Sequence, residues 1–588
     1  MTASPTDLQA SFCAALVDEW QRGRMCAAVV SPGSRSTPLA LALAASSVAL
    51  HVVLDERSAA FVALGLARGT GRPAVLLCTS GTAAANFHPA VAEADLDRVP
   101  MIVCTADRPP ELHGIGAPQA IDQQRLFARS PRWFCDPGVA DEANRDAWRS
   151  VGARSVIEAT AGPSGPGPVH LNLPFREPLV GTASCVPEGR PGGAPWHRSA
   201  TGVRVMAPLD AASLRATVDG ARGVIVAGGG IADPAIVIEM AALLEWPLLA
   251  DPRSGCRVPD DVVISTADAF LRDATIAEEL RPHVVLRVGG SPASKVLGQW
   301  LGTAAVDVLV DPYAAWVDPR RSAALVVAAD LDRIAAVLAG ARPAASEWLS
   351  RWKVAQRAAA DAIATLLDGV DDPDPDGQAT LLREPAIARA LLAAVPDGGH
   401  LVVSSSMPVR DVEWFGASRR GVTVHANRGA NGIDGVVSTI LGVAAAGVGP
   451  TVGLLGDLAF LHDVSGLVWA ASGSVDATIV VVDNGGGGIF QFLPQASSSA
   501  IGRPRFETLF GTPQDVDVAA VARGFGHRVA EVDNIAGLRD AVRVGFLRAG
   551  LDVVVIRTDR VANVEGHDML NAAVIAAVRR AWGMAAAG

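Results

Sequence analysis

An α/β fold built from doubly wound parallel sheets is predicted by two patterns that run the length of the chain. Short apolar, β-branched runs alternate with alanine-rich amphipathic segments, as parallel strands alternate with crossover helices. The runs Ala27-Ala28-Val29-Val30, Ala74-Val75-Leu76-Leu77 and Met101-Ile102-Val103-Cys104 each stop at a turn rich in Ser, Gly, Pro or Asp. That places polar residues at strand carboxyl ends, where ligands bind in such sheets. A chain of 588 residues exceeds one core and, at roughly 100–200 residues per domain, reads as about three.

The domain limits follow from composition. Between Gly181 and Thr201, Pro187, Gly189, Pro191, Gly192, Gly193 and Pro195 mark a linker. A second break lies at Gly369 to Gly377, where the run from Val370 to Asp376 is acidic and proline-punctuated. The expected domains are 1–185, 200–345 and 375–588, the central one Rossmann-like.

Half the residues are hydrophobic and 19% are charged, so several large apolar faces must be buried in cores or between subunits. A net charge of −11 without a basic stripe argues against nucleic acid as a partner. The seven cysteines are scattered and form no C-x-x-C pair, the pattern of reduced cytoplasmic residues. The N-terminus lacks the basic-then-apolar order of a secretory signal. Gly435 to Gly456 is uncharged, but its glycines and Pro450 suit a buried helix, turn and strand better than a membrane span. The middle block opens on Val224-Ile225-Val226-Ala227-Gly228-Gly229-Gly230; the spacing is not G-x-G-x-x-G, so the expectation is a structural glycine turn.

The strongest chemical signal is a pair of strand ends: Val452-Gly453-Leu454-Leu455-Gly456-Asp457-Leu458, and Ile479 to Asp483 followed by Asn484 and Gly485 to Gly488. A small hard cation holding a diphosphate needs oxygen ligands, and Asp457, Asn484 and the carbonyl of Gly486 form a fitting set. The glycines, Gly487 among them, would let the backbone approach phosphates closely and leave a helix N-terminus free to donate N–H groups. Read alone, Gly-Asp after a strand is also an ordinary turn.

The motif Gly456-Asp457, with Asp483-Asn484 beginning twenty-six residues after Asp457, resembles the GDG…NN signature of thiamine-diphosphate enzymes, with Leu458 in place of the third residue. In that class a glutamate after an N-terminal strand hydrogen-bonds the aminopyrimidine ring so that the ring's amino group acts as internal base. Glu56, at the strand-to-helix junction of His51 to Ala67, matches that context; otherwise it is a carboxylate favoured by a helix N-terminus. Ile433, in Gly429-Ala430-Asn431-Gly432-Ile433-Asp434-Gly435, would be the apolar wedge between the cofactor's rings, or simply a core residue.

Several peptides are similar to one member family, the 2-succinyl-5-enolpyruvyl-6-hydroxy-3-cyclohexene-1-carboxylate synthases of menaquinone biosynthesis. They are Ser31 to Leu39, Thr79-Ser80-Gly81-Thr82-Ala83, Thr105 to Leu112 and Gly116 to Ile121, then Ser406 with Arg410, Asn427-Arg428-Gly429, Phe460 to Asp463 and Gly486 to Phe490. The resemblance covers the outer domains well and the middle one loosely. It implies thiamine diphosphate with Mg²⁺, Mn²⁺ being able to replace it. It also implies decarboxylation of 2-oxoglutarate and 1,4-addition of the succinyl semialdehyde carbanion to isochorismate.

Both substrates are multiply anionic, and guanidinium forks hold carboxylates in fixed orientation. Arg35, Arg108, Arg410 and Arg428 are the candidates, with Arg35, Arg410 and Arg428 also placed at the chemistry; Ser34, Gln119, Lys295 and Ser406 assist. Any single arginine here could equally be structural. Gly81 and Gly456 would border the cofactor, while Ile489, Phe490 and Leu493 would form a wall that keeps water from the carbanion. In the family the Glu56 domain of one subunit faces the diphosphate domain of its neighbour, so a homodimer is the minimum and a homotetramer fits as well. Two alternatives stay open on sequence: another thiamine-diphosphate 2-oxoacid decarboxylase or carboligase, and a non-catalytic nucleotide-binding regulatory subunit.

Overall fold

The computed structural model describes residues 4–369, 383–472 and 475–585; the acidic run expected as the second linker lies almost wholly outside them. Eighteen strands among the described residues form three six-stranded sheets, and every strand pairing is parallel. The first holds β1 (Ala28–Val30), β2 (Leu50–Val52), β3 (Ala74–Cys78), β4 (Met101–Asp107), β5 (Phe134–Cys135) and β6 (Pro168–Pro174), ordered 2-1-3-4-6-5. The middle sheet holds β7 (Gly223–Ala227), β8 (Leu248–Ala250), β9 (Val263–Ile264), β10 (Val284–Val288), β11 (Val306–Val310) and β12 (Leu325–Val327), ordered 12-11-10-7-8-9. The last holds β13 (Gly399–Val403), β14 (Val422–Ala426), β15 (Thr451–Gly456), β16 (Ala477–Asp483), β17 (Arg528–Val532) and β18 (Leu551–Arg557), ordered 14-13-15-16-18-17.

Central strands such as β3, β4 and β10 are buried along their whole length, which is why they read as continuous apolar runs rather than alternating ones. The segment 435–456 folds as helix Val436–Ala445, a turn at 447–450 and β15, and no helix among the described residues is long and apolar enough to cross a membrane. In the middle sheet the glycines serve chain packing. A Cβ on Gly228 would lie 1.6 Å from the Gly290 carbonyl oxygen, and Gly290 N–H donates to Gly229 at 2.9 Å. The turn is closed by a second backbone turn and leaves no phosphate cradle there.

The outer sheets share one strand order, and their equivalent helices pack on each other. Helix Glu56–Thr70 follows β2, and helix Val436–Ala445 follows β14. They meet at Gly65 and Gly442, where a Cβ on either would come within 2.3 Å of a backbone oxygen of the other. A side chain at either position would push the two sheets apart.

Candidate active site

A cavity of about 380 Å³ opens at the carboxyl ends of β13, β15 and β16. Asp457 follows β15 and begins helix Asp457–His462. Its Oδ1 accepts from Leu458 N–H and its Oδ2 from Gly486 N–H, both at 2.7 Å. Burial pushes this carboxyl up to about 6, opposed by those backbone donors; a cation beside it would favour the ionised form. Asn484 follows β16; its Nδ2 donates to Glu384 Oε1 at 3.0 Å, and its Oδ1 is buried without a hydrogen-bond partner. A carboxylate oxygen and an unpartnered amide oxygen on one wall fit a hard cation.

The glycines are required by space. Gly486 has φ 133°, and a Cβ there would lie 2.1 Å from the Gly511 carbonyl oxygen. One expectation needs correction: the N–H groups of Gly486, Gly487 and Gly488 are not free for a ligand. They donate to Asp457, Gly511 and Gly486 respectively. The chain continues into a short 3₁₀ turn, Gly488–Phe492, not an α-helix with open amides, because four successive glycines disfavour an α-helical start.

The other wall is cationic. Among the described residues, Arg410 on helix Met407–Phe415 donates only to the Ser406 carbonyl oxygen, and Arg428 has its Nε buried and unpartnered. Neither forms a salt bridge among the described residues. Burial lowers both guanidinium pKa values; nearby Arg253 and Arg410 add to the fall at Arg428, and Glu413 opposes it at both. Ser406 is held at φ 74°, a left-handed conformation costing a non-glycine residue about 1 kcal/mol or more. Ile433, Ile489, Phe490 and Leu493 line the apolar side, and Gly456 lies at the floor.

The N-terminal candidates assemble separately. Arg35 is buried, with Nη1 donating to the Phe175 carbonyl at 3.0 Å and Nη2 paired with Glu177 at 2.8 Å. Arg108 donates to Ser80 Oγ at 2.9 Å and to the Pro118 carbonyl at 2.8 Å. Gly81 has φ 83°, and its N–H donates to Gln123 at 2.9 Å; the exposed Gln119 stands against it. Ser34 is exposed. Glu56 is half-buried in the first turn of its helix, whose Asp55 cap accepts from Ser58 N–H at 3.2 Å. None of these residues lines the C-terminal cavity of the same chain. Lys295, at the start of helix Lys295–Leu301, also stands outside it.

Glu384, Asn431, Ser404 and Ser405 also line the cavity, though the sequence patterns above do not single them out. Ser404 and Ser405 could have been found beside Ser406 at the end of an apolar run. Glu384 sits a hundred residues before Asn484 at a helix start with no local signature.

Three family models cover most of the chain: thiamine pyrophosphate enzyme, N-terminal TPP binding domain, over residues 15–126; middle domain of thiamine pyrophosphate, over 193–403; and C-terminal TPP binding domain, over 414–556. The solved structure titled as benzoylformate decarboxylase from Polynucleobacter necessarius superposes with a TM-score of 0.72 over 95% of this chain and 99% of that one. At 16% identity this shows the shared fold. Proteins named 2-succinyl-5-enolpyruvyl-6-hydroxy-3-cyclohexene-1-carboxylate synthase are far more similar in sequence. That of Myxococcus xanthus (strain DK1622) is 42% identical, over 98% of this chain and 99% of the relative. That of Geobacillus kaustophilus (strain HTA426) is 42% identical over 96% and 97%, and that of Bacillus velezensis 38% over 97% and 98%. With the strand-end carboxylate and amide, the paired guanidiniums and this likeness along nearly the whole length, the chain belongs to the 2-succinyl-5-enolpyruvyl-6-hydroxy-3-cyclohexene-1-carboxylate synthase family of thiamine pyrophosphate enzymes.

Proposed function

We propose that the protein decarboxylates 2-oxoglutarate and adds the resulting four-carbon unit 1,4 to isochorismate, forming 2-succinyl-5-enolpyruvyl-6-hydroxy-3-cyclohexene-1-carboxylate for menaquinone biosynthesis in the cytoplasm. The observation that carries this reading is the cavity's two unlike walls. Buried carboxylate and amide oxygens face it on one side, and on the other stand two guanidiniums that form no salt bridge among the described residues. Thiamine diphosphate, when bound, supplies the nucleophilic carbon and the electron sink for loss of CO₂.

The residues supply the rest. Asp457, Asn484 and the Gly486 carbonyl would hold Mg²⁺, or Mn²⁺ in its place, and Gly456 and Gly487 would admit the diphosphate to close backbone approach. Ile433 would support the folded cofactor. Arg410 and Arg428, with Ser406, would orient substrate carboxylates by charge-assisted hydrogen bonds. Ile489, Phe490 and Leu493 would exclude water from the reacting carbon.

Glu56 would hydrogen-bond the cofactor's aminopyrimidine ring and hold its proton, with Gly81 beside it. Ser34, Arg35, Arg108, Gln119 and Lys295 would contact substrate from the same side. Since these residues lie away from their own chain's cavity, they would act on a neighbour's, and the working unit is a homodimer or homotetramer of chains with domains at 1–185, 200–345 and 375–588. A small apolar aldehyde donor would leave Arg410 and Arg428 without anionic partners, so no observation favours a different carboligase.

The test is CO₂ release from 2-oxoglutarate with thiamine diphosphate and Mg²⁺, with and without isochorismate, with the product identified by mass. Release that rises with isochorismate together with the combined adduct is expected. Cofactor binding without either event would overturn the substrate assignment.

A further inference from the structure

Glu384 occupies the first turn of helix Arg383–Ala394 and is 5% exposed. Its Oε1 accepts from Asn484 Nδ2 at 3.0 Å and from Thr558 Oγ1 at 2.8 Å, and its Oε2 accepts from Asn563 Nδ2 at 2.7 Å. Three donors therefore converge on a buried carboxylate that forms no salt bridge with Lys or Arg among the described residues. Burying an unpaired carboxylate is costly, and an apolar side chain would fill the space more stably. The arrangement calls for a role that only an acceptor can perform.

That role is visible at Asn484. The two ends of a side-chain amide are nearly identical in shape, so packing alone leaves it free to turn over. Glu384 Oε1 already accepts from Thr558, so it meets Asn484 as an acceptor whatever the charge on the carboxyl. An amide oxygen facing Glu384 would set two acceptors against each other across about 3.0 Å, so the nitrogen must face Glu384 and the oxygen must face away. That oxygen is the buried atom with no partner, and both residues line the same cavity. Gly488 leaves room for the amide there, since a Cβ would lie 2.7 Å from Nδ2. Accepting from the nitrogen also polarises the amide and enriches its oxygen in electron density.

We infer that Glu384 is a positioning residue: its carboxylate sets the Asn484 amide with its oxygen turned to the cation. This rests on the proposal that Asp457, Asn484 and Gly486 hold the metal, and the experiment separates the two. Mn²⁺ binding to the full-length enzyme is measured in saturating thiamine diphosphate from the electron paramagnetic resonance signal of free Mn²⁺, with no turnover required. Asn484→Ala should weaken binding; if it does not, the metal assignment fails. Glu384→Ala should raise the Mn²⁺ dissociation constant about tenfold or more, as loss of a ligand's supporting partner does.

Glu384→Gln should stay within about threefold of wild type, well below the 10–100-fold range for losing such a partner. Its oxygen can still accept from Asn484, while its nitrogen donates to Asn563 Oδ1, which has no partner at present. A weakened Asn484→Ala with an unaffected Glu384→Ala overturns the inference alone. Equal losses in Glu384→Ala and Glu384→Gln overturn it too, since charge and not orientation would then matter. If Glu384→Ala does not fold, Asn563→Leu is added to Glu384→Gln. The glutamine amide then loses the partner that orients it, and Mn²⁺ binding should weaken relative to Glu384→Gln; unchanged binding overturns the inference.

Discussion

The N-terminal and C-terminal sheets share one strand order yet present different chemistry at equivalent positions. After the first strand of each come Arg35 and Arg410, and after the second Glu56 and Arg428. Past the third stand Gly81 and Asp457, and past the fourth Arg108 and Asn484. In the C-terminal sheet these residues surround a cavity, with Arg410 and Arg428 unpaired and an amide oxygen unsatisfied. In the N-terminal sheet Arg35 and Arg108 already have partners within the chain. The same fold thus gives one set of strand ends whose arginines form no salt bridge among the described residues, and one whose arginines are tied to Glu177, Ser80 and backbone carbonyls of their own chain. A fold fixes where a site can lie, while the side chains at the strand ends decide what it does.

Substitutions sharpen that contrast, and the largest effect belongs to the N-terminal half. Glu56→Gln should lower kcat by about 10³-fold, within the range for a lost general acid–base partner, while thiamine diphosphate affinity changes little. Unchanged kcat would break the division of labour. On the anion-binding half, Arg428→Met should raise the KM for 2-oxoglutarate or isochorismate by about 10–100-fold, from loss of a charge-assisted hydrogen bond in a desolvated wall. An unaltered KM for both would return Arg428 to a structural role.

Smaller effects should come from the contact between the halves and from acid. Gly442→Val places a side chain against the Val62 carbonyl, 2.3 Å from where its Cβ must lie. It should destabilise the protein by about 1–3 kcal/mol, the usual range for overpacking, and an unshifted Tm would show that the two helices part freely. Burial pushes His170, bonded at 2.8 Å to Thr105 in the N-terminal sheet, down to about 3. The unfolded chain therefore binds the proton first as pH falls below about 6.5. The associated stability is present above that pH and is lost on acidification toward the folded value, about 2 kcal/mol of it by pH 5. His170→Gln should flatten that fall in urea titrations at pH 7.5 and 5. In the C-terminal half the buried Asp457 and Asp463, each pushed up to about 6, act in the opposite sense. They gain protons in the folded state over the same range.

Much of this architecture is legible in the sequence. The sheets announce themselves because strands buried on both faces leave uninterrupted apolar runs, and Asp457, Asn484, Arg410 and Arg428 follow within a few residues of their ends. Glu384 stays hidden because its partners Asn484, Thr558 and Asn563 are a hundred or more residues away. The engaged amide of Gly487 depends on Gly511, a contact no local pattern encodes. Gly65 leaves a clue: a glycine inside an alanine-rich helix costs about 1 kcal/mol relative to alanine, which signals close backbone approach, but nothing local names its partner Gly442.

On the proposed arrangement, each active site joins the N-terminal half of one chain to the C-terminal half of another. Co-expressing Glu56→Gln and Arg428→Met chains under two different tags, and purifying the species that carries both, tests it directly. One composite site then holds both changes and the other holds neither, so about half the wild-type turnover is expected from a two-fold dimer, although each variant alone is nearly inactive at low substrate. Turnover no higher than that of the Glu56→Gln and Arg428→Met homodimers averaged would contradict the account and place each site within a single chain.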